Sequence, residues 1–289
     1  MKLLSYRVGE VESFGVLSGD GVIDGAEALA GDATTIREVL ERDLLGPLEH
    51  LTARRKVTYA LAEIAYLPPV PDPAKILCVG VNYVDHREET GHVEKPEHPT
   101  IFSRFADTQV GHGRPVVHPP NSKQLDYEGE VAIVIGRHVS AIETDADARA
   151  AIAGLSCYND LSLRDWQLHN SQWLPGKNFR GVGSFGPWLV TLDEFDDLGS
   201  VRLTTRVNGE LRQDATLGDL VFGFTDILRY VTGFTSLAPG DVIATGTPGG
   251  VGLAAKPPRF LAPGDVAEIE VSGVGVLRNE IVAAPEGAG

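Results

Sequence analysis

Apolar positions beyond residue 70 fall mostly in short runs that are typical of β-strands. The run VAIVI within residues 129–136 shows no polar alternation, which predicts a strand buried on both faces. An Asn208-Gly209 pair predicts a tight hairpin turn. The predicted strands are KILCVGVNY, PTIFSRF, GEVAIVIG, GPWLVTL, VRLTTRVNGEL, DVIATG and VAEIEVSGVGVLRNEI.

Segments with helical spacing are fewer. They are DADARAAIAGL, LSLRDWQLH and LVFGFTDILRYVTGF, with one or two more helices in TTIREVLERDLLGPLEHLTA. Many strands and few helices predict an α+β fold that is predominantly β, with a rolled mixed sheet instead of a doubly wound one. The proline-rich segment LPPVPDPAK at 67–75 predicts a domain boundary. We therefore expect a small N-terminal α+β domain over 1–70 and a larger domain over 71–289.

Composition narrows the class of partner. The net charge of −15 over 289 residues argues against nucleic acid or an anionic membrane as partner. No apolar run approaches the ~20 residues of a membrane span, and MKLLSYRVGEVESFG lacks the apolar core of a signal peptide. Cys78 and Cys157 stand in apolar surroundings without metal-site spacing, so we expect small core residues. A cytoplasmic protein with a small-molecule partner is expected.

The segment QLDYEGEVAIVIG places Asp126, Glu128 and Glu130 at the beginning of the buried strand. Side chains two apart on a strand share a face, so Glu128 and Glu130 would converge, with Asp126 as a possible third. Adjacent carboxylates repel, and burying them without a partner is costly. Two interpretations remain open here: a solvated strand end, or a cradle for a divalent cation.

A second acidic position lies in CYNDLSLRDWQ. Asp160, Arg164 and Gln167 stand at i, i+4 and i+7, so they would share one face of a helix. Such a face would suit a site for a metal ion and an oxyanion. Asp160 could equally be the N-cap of that helix, and the spacing does not decide between the two.

His86 and Glu89 are three residues apart in DHREE, and they would meet if the segment is helical. A glutamate that accepts from one ring nitrogen leaves the other nitrogen free to take a proton from water. The alternative is a polar surface turn ended by Gly91. The following segment EETGHVEKPEHP is polar and contains prolines, which is typical of an active-site lid.

Two glycine-rich segments could approach a ligand closely. GKNFRGVGSFGPW holds Lys177 among glycines, either as a ligand contact or as a surface lysine. GTPGGVG lacks the Lys-Ser/Thr ending of a phosphate loop, so nucleotide binding is rejected. Its backbone amides and Thr247 could still hold a carboxylate.

Five of these motifs in order resemble the fumarylacetoacetate hydrolase family. They are GVNYVDHREE, LDYEGEVAIVIG, CYNDLSLRDWQ, GKNFRGVGSFGPW and PGDVIATGTPGGVG, and they extend from about residue 75 to the C-terminus. The resemblance implies a catalytic domain with a mixed β-roll, a homodimer, and bound Mg²⁺ or Mn²⁺. It also implies roles for individual residues. It assigns metal ligation to Glu128, Glu130 and Asp160. It assigns catalysis to His86, Glu89, Lys177 and Gln167. It assigns substrate binding to Arg164, Thr247 and Arg104, the last standing in FSRF where many members have lysine.

The activity implied first is a hydrolase that cleaves a C–C bond of an acylpyruvate or 2,4-diketo acid into pyruvate and a carboxylic acid. His86 would activate water, and Lys177 with Gln167 would stabilise the oxyanion. The same cradle could serve an isomerase, a tautomerase or an oxaloacetate decarboxylase, because all share an enolate. A non-catalytic protein is disfavoured, because the full set of these residues is present.

Overall fold

Two packed β-sheets form the body of the protein in a computed structural model that describes residues 1–89, 91, 94 and 96–285. The predominantly β, mixed α+β class predicted from the sequence is confirmed. Within the described residues, no helix has the length and apolar character needed to span a membrane.

The N-terminal 70 residues contain five strands and three short α-helices. Their bounds are β1 (Lys2–Val8), β2 (Val11–Ser18), β3 (Gly21–Asp24), α1 (Gly25–Ala28), α2 (Ile36–Glu41), α3 (Leu45–Thr52), β4 (Tyr59–Ala60) and β5 (Ala65–Tyr66).

The rest of the described chain contributes thirteen strands and five α-helices. Their bounds are β6 (Ile76–Gly80), α4 (Val84–Glu89), β7 (Thr100–Arg104), β8 (Val116–His118), β9 (Leu125–Asp126), β10 (Gly129–Ile135), α5 (Asp145–Ala151), β11 (Ile152–Asn159), β12 (Ser162–Leu163), α6 (Arg164–Gln167), α7 (Leu174–Lys177), β13 (Ser184–Thr191), β14 (Arg202–Val207), β15 (Glu210–Thr216), α8 (Phe224–Thr232), β16 (Val242–Ala244), β17 (Val266–Val271) and β18 (Gly275–Ala283). Single 3₁₀ turns occupy Leu61–Glu63, Ala106–Thr108, Leu192–Glu194, Leu198–Ser200, Leu217–Asp219 and Gly252–Ala254.

The larger sheet has the strand order β4-β3-β2-β1-β13-β11-β10-β16-β6-β7, with β5 paired to β1. Its neighbours are antiparallel except for β16 and β6, which are parallel. The N-terminal strands join this sheet through the antiparallel pairing of β1 with β13. The division at residue 70 therefore remains a prediction about domains, since the sheet itself continues across it.

The second sheet has the order β15-β14-β17-β18-β8. Its β14–β15 hairpin turns at Asn208 and Gly209, which both have positive φ, as the sequence predicted. The pair β9 and β12 forms a separate two-stranded ladder beside the strand ends, where Ser162 is the partner of Asp126.

Strand β10 lies inside the larger sheet and is buried on both faces, as predicted. Val131, Ile133 and Ile135 pack in a core with α8 and the second sheet. Ala132 and Val134 pack on the opposite face, in a core that includes α2 and parts of β1 and β2. Because apolar packing fixes this strand on both sides, the residues at its beginning are held firmly in place.

Three local predictions were wrong in detail. The helix expected over LSLRDWQLH is reduced to the single turn α6, because Ser162 and Leu163 pair with β9 instead. The helix expected over DADARAAIAGL ends at Ala151, and the apolar residues that follow form the central strand β11. Lys177 ends the short helix α7 and does not lie in a glycine-rich loop. Cys78 and Cys157 are free and buried, as expected.

Candidate active site

A cavity of about 320 Å³ opens where β10, β11 and α4 meet the segment that contains Thr247. Nearly all of the residues predicted for catalysis, metal binding and substrate binding line it. We call the end of the cavity that carries the charged side chains the floor; these are Glu128, Glu130, Asp160, Arg164 and Lys177. The other end is apolar. The apolar part, which we call the wall, includes Val79, Val81, Phe102, Trp173, Leu253 and Ala254.

Three carboxylates converge on the floor. Glu128, Glu130 and Asp160 are all buried, and each offers a carboxylate oxygen within 4.8 Å of the others. Glu130 lies on β10, and Glu128 immediately precedes that strand. Asp160 follows the neighbouring strand β11, and its backbone N–H donates to the carbonyl of Glu128 at 2.9 Å. Antiparallel pairing of the two strands thus brings together residues thirty positions apart in the chain, as the motifs predicted.

Cations surround two of these three carboxylates. The ammonium of Lys177 lies 2.6 Å from Glu128 Oε2 and 2.6 Å from Asp160 Oδ2. Arg164 Nη1 lies 2.6 Å from Glu128 Oε1. Glu130 differs, because its described hydrogen bond is from the backbone N–H of Gly246 at 2.9 Å.

The protonation equilibria follow these contacts. Burial alone would raise the pKa of Glu128, but Arg164 and Lys177 outweigh it and hold that pKa well below its usual value. Burial raises the pKa of Glu130 well above its usual value, and the charges of Asp160 and Glu128 raise it further. Burial would lower the pKa of Lys177, yet Asp160 and Glu128 raise it, so the amine stays charged.

This donor set fits a divalent cation. Hard cations prefer carboxylate oxygens, and the three oxygens are close enough to share one ion. Burial first, and then the charges of Asp160 and Glu128, raise the pKa of Glu130, so a bound cation would stabilise its ionised form. The floor could therefore hold a metal ion, whose positive charge would offset the negative charges of the three carboxylates.

Asp126 does not join the three carboxylates. Its carboxylate accepts from Arg164 Nε at 2.8 Å and from the backbone N–H groups of Gly252 and Leu253 at 2.7 and 3.0 Å. These contacts saturate it. Asp126 instead fixes both Arg164 and the turn that carries part of the wall, a role that the sequence did not reveal.

His86 and Glu89 meet on the helix α4, as predicted. His86 Nδ1 lies 2.7 Å from Glu89 Oε1, and Glu89 Oε2 accepts from the N–H of Gly250 at 3.0 Å. Because an ionised carboxylate only accepts, Nδ1 carries the proton in this pair, and Nε2 is the ring nitrogen with the basic lone pair. The pair can move a proton within the cavity.

Arg164 has one guanidinium nitrogen, with two N–H donors, that no described residue engages. Its Nη1 donates to Gln167 Oε1 at 2.9 Å in addition to Glu128, and its Nε donates to Asp126. Its buried Nη2 has no hydrogen-bond partner among the described residues. Leaving a charged N–H unpaired inside a protein is costly, so this nitrogen is a candidate donor to an anionic ligand.

Thr247 also lines the cavity, and its hydroxyl accepts from Gln213 Nε2 at 2.8 Å. The same Gln213 donates to the carbonyl of Pro248 and accepts from the N–H of Gly129, which lies between Glu128 and Glu130 in the chain. This buried glutamine ties the Thr247 segment to the floor. Nothing local in RQDAT marks it, so the sequence analysis missed it.

The structure does not support a direct substrate contact for Arg104. Its side chain is buried behind the floor and is not among the described residues that line the cavity. Its guanidinium lies 2.5 Å from Asp160 Oδ1 and donates to the carbonyls of Leu161 and Val182. Arg104 is the last residue of β7, whose Cα partner on β6 is Ile76, and its contact with Oδ1 orients the carboxylate of Asp160.

The remaining predicted catalytic residues reach the floor by close packing of two short helices. A Cβ at Gly176 would lie 2.5 Å from the backbone of Gln167, so glycine lets α7 contact α6. This contact places Lys177 and Gln167 in the same cavity. Within the predicted lid, residues 90, 92, 93 and 95 lie outside the described residues.

Comparison with known proteins agrees with this site. Residues 75–282 match the family described as fumarylacetoacetate (FAA) hydrolase C-terminal. The chain belongs to the fumarylacetoacetate hydrolase family. An oxaloacetate tautomerase of Rattus norvegicus, described as mitochondrial, is 38% identical over 98% of this chain and 92% of its own length.

Solved structures give the same relationship. A fumarylacetoacetate hydrolase from psychrophilic Exiguobacterium antarcticum has a TM-score of 0.83 at 33% identity, covering 98% of this chain and all of its own. A maleylpyruvate hydrolase from Sphingobium sp. SYK-6, in complex with manganese(II) ion and pyruvate, has a TM-score of 0.82 at 26% identity. It covers 99% of this chain and 100% of its own. These relatives differ in activity, so membership defines an enzyme family without fixing the reaction.

Proposed function

We propose that this chain is a divalent-metal-dependent tautomerase that interconverts the enol and keto forms of a 2-oxo acid. The observation that carries the proposal is the floor, where three carboxylates within 4.8 Å stand beside the unpaired Arg164 Nη2 in one cavity with His86. The 38% identity to an oxaloacetate tautomerase over nearly the whole chain supports this reaction over the others in the family.

Glu128, Glu130 and Asp160 would hold Mg²⁺ or Mn²⁺. The cation would supply Lewis-acid stabilisation of the negative charge that develops on the enolate. The manganese ion in the maleylpyruvate hydrolase complex supports this choice of metals.

The chain's own groups would divide the remaining work. Arg164 and Thr247 would bind the carboxylate of the 2-oxo acid, since both residues line the cavity and Arg164 Nη2 has no partner among the described residues. Tautomerisation moves one proton between the C2 oxygen and C3. In the keto-to-enol direction, His86 Nε2 would take the proton from C3 and then return it to the oxygen at C2, while Glu89 holds the Nδ1–H; ketonisation would run the same two transfers in reverse. Lys177 has three N–H donors and uses two on carboxylates, so one is left for the oxygen at C2.

The test follows the decay of enol absorbance of freshly prepared enol-oxaloacetate and enol-phenylpyruvate with protein and Mg²⁺. We expect ketonisation well above the buffer rate, and we expect EDTA to abolish the acceleration. A rate equal to buffer with metal bound would overturn the proposal. Mn²⁺ in place of Mg²⁺ distinguishes the preferred metal.

A C–C hydrolase of acylpyruvates is the second candidate. The 2.7 Å contact between His86 and Glu89 favours it, because an oriented imidazole is what water activation needs. Acetylpyruvate, fumarylpyruvate and a 2,4-diketo-3-deoxy acid would be offered, with pyruvate detected through lactate dehydrogenase. Equal amounts of pyruvate and carboxylic acid would identify the hydrolase, whereas pyruvate from oxaloacetate alone would identify a decarboxylase.

His86→Gln separates these reactions further. Removing the imidazole should lower hydrolysis by about 10²–10⁴-fold, the usual contribution of a general base. Decarboxylation needs no attacking water, so it should fall much less. Hydrolysis at the wild-type rate in this variant would exclude His86 as the base.

We also propose a homodimer, on the family resemblance alone, and light scattering of the purified protein tests it. A cytoplasmic location stays a prediction, since the rat relative is described as mitochondrial. Fractionation of cells that produce the protein would decide this point.

A further inference from the structure

The wall of the cavity is built from apolar side chains in close contact. Phe102 and Trp173 pack edge to face with ring centroids 5.6 Å apart. A Cβ at Gly80 would lie 2.3 Å from Trp173 Cζ3, so the indole ring rests directly on the backbone of the strand β6. The position of Trp173 in the wall therefore depends on glycine at position 80, because a side chain there would displace the indole ring.

The backbone conformation of Val81 is a second indication that the side chains of the wall serve a function. It lines the cavity with φ of +55°, a left-handed conformation that β-branched residues rarely adopt. Such a conformation costs on the order of 1–3 kcal/mol, and glycine at this position would avoid the cost. A strained valine in this place indicates that its isopropyl group is used.

The floor, by contrast, offers a place for one carboxylate. Among the described residues that line the cavity, Lys177 and Arg164 are the two basic side chains with permanent charge. Lys177 is engaged by Glu128 and Asp160, and Arg164 retains one free N–H-bearing nitrogen. A second carboxylate on the same ligand would lie against the wall, where it would lose hydration without gaining a partner.

We propose that the cavity selects 2-oxo acids with an apolar or aromatic substituent at the end remote from the carboxylate, in preference to dicarboxylates such as oxaloacetate. The floor binds the part that all 2-oxo acids share, and the wall binds the substituent. This inference rests on the proposed function for the identity of the shared part, and it specifies the substrate class.

A matched pair of unreactive analogues tests it. N-phenyloxamate and N-oxalylglycine share the 2-oxo acid unit and differ in the tail, which is a phenyl group in one and a carboxylate in the other. Titration calorimetry with the Mg²⁺-loaded protein should give a Kd at least about tenfold lower for N-phenyloxamate, or about 1.4 kcal/mol. Equal affinity, or tighter binding of N-oxalylglycine, would overturn the proposal.

Substitutions in the wall test whether it causes the preference for N-phenyloxamate over N-oxalylglycine. Trp173→Ala and Val81→Gly should reduce the preference toward unity. Val81→Gly relieves the strained φ, so its thermal stability should equal or exceed that of the wild type, which keeps loss of folding from explaining the result. Phe234→Ala removes an exposed aromatic ring outside this cavity and is the control. A preference that persists in both wall variants would contradict the assignment.

The same experiments distinguish a failure of the proposed selectivity from a failure of the proposed tautomerase function. Enol ketonisation of oxaloacetate and phenylpyruvate with comparable kcat/KM, together with equal analogue affinities, would refute the selectivity and leave the tautomerase standing. Tight binding of N-phenyloxamate without acceleration of any enol would refute the tautomerase and leave the selectivity standing. Failure to bind either analogue with metal present would overturn the selectivity directly.

Discussion

The floor and the wall of the cavity are held in place by different forces. On the floor, Lys177 and Arg164 fix the carboxylate of Glu128 through contacts of 2.6 Å. On the wall, Phe102 and Trp173 are placed by ring packing and by the absence of a side chain at Gly80. The floor is a connected set of charges in which each group positions another, whereas the wall is held by apolar packing; the two regions meet where the Lys177 ammonium lies 5.0 Å from the centre of the Phe102 ring. We therefore expect substitutions to separate reaction chemistry from substrate choice.

A substitution on the floor is also expected to cost more free energy than a substitution on the wall. Removing one partner of a buried ion pair costs about 3–5 kcal/mol, because a charge is left uncompensated. Removing one methylene from an apolar contact costs about 0.8 kcal/mol. Substitutions on the floor should therefore alter turnover together with metal binding or stability, whereas wall substitutions should mainly alter the affinity for the substituent.

Glu130→Gln should have the largest effect. It removes a proposed metal ligand, so Mg²⁺ affinity should fall by more than about 100-fold, beyond the usual effect of changing an outer residue, and turnover should fall with it. Titration calorimetry measures the first and enol ketonisation the second. Glu270→Gln, on the exposed side of β17, is the control. Unchanged Mg²⁺ affinity would contradict the metal site.

The same substitution makes a prediction for the metal-free protein. Burial, Asp160 and Glu128 raise the pKa of Glu130, so the fold favours its protonated form. The resulting cost is absent below the ordinary carboxyl pKa of 4.5 and grows as the pH rises toward the raised pKa. With EDTA present, Glu130→Gln should melt at or above the wild-type temperature at neutral pH. A lower melting temperature there would refute the proposed repulsion.

Lys177→Met should come second. Metal-free stability should fall by about 3–5 kcal/mol, because Glu128 and Asp160 lose a shared buried counter-charge. Turnover should be lost, yet Mg²⁺ affinity should fall less than about tenfold, since the amine is not a metal ligand. Lys75→Met breaks the Lys75–Asp241 pair away from the cavity and is the matched control for lost stability. A larger fall in Mg²⁺ affinity would show that Lys177 has another role.

Arg164→Lys should weaken both oxamate analogues by a similar factor. Lysine keeps the charge but cannot reproduce the guanidinium fork, so the contact proposed for Nη2 is lost. A hydrogen bond to a charged group is worth about 1.5–3 kcal/mol, which corresponds to roughly 10–100-fold in affinity. Because the 2-oxo acid unit is common to both analogues, the preference between them should stay. Selective loss of one analogue would indicate that Arg164 contacts the tail.

The sequence predicts those features of the fold and of the site that depend on residues close together in the chain. Strand β10 and the convergence of Glu128 with Glu130 follow from the local alternation, and the structure confirms both. The helix expected through Asp160 fails because a distant ladder competes with it, as Ser162 pairs with Asp126. Asp160 still reaches the floor, since the end of β11 carries it there.

Other features have no local signal at all. Gln213 contacts the floor and the Thr247 segment across 84 and 34 positions of the chain. The orientation of Arg104 depends on the pairing of β7 with β6, which the residues of FSRF do not reveal. The positive φ of Val81 is likewise not predicted by the residues of GVNY, since a valine rarely adopts it. Such contacts decide which charged groups are structural and which are free for a ligand.

Leu253→Ala should have the smallest effect, and it is the most specific test of the separation. Truncation leaves the backbone N–H that Leu253 donates to Asp126, so the support of Arg164 is preserved. Loss of part of one apolar contact should cost about 1 kcal/mol, and N-phenyloxamate should bind roughly fivefold more weakly. N-oxalylglycine affinity should stay within twofold of the wild type (about 0.4 kcal/mol). Equal weakening of both analogues would mean that the wall supports the floor through Asp126, and that the two regions are not separable.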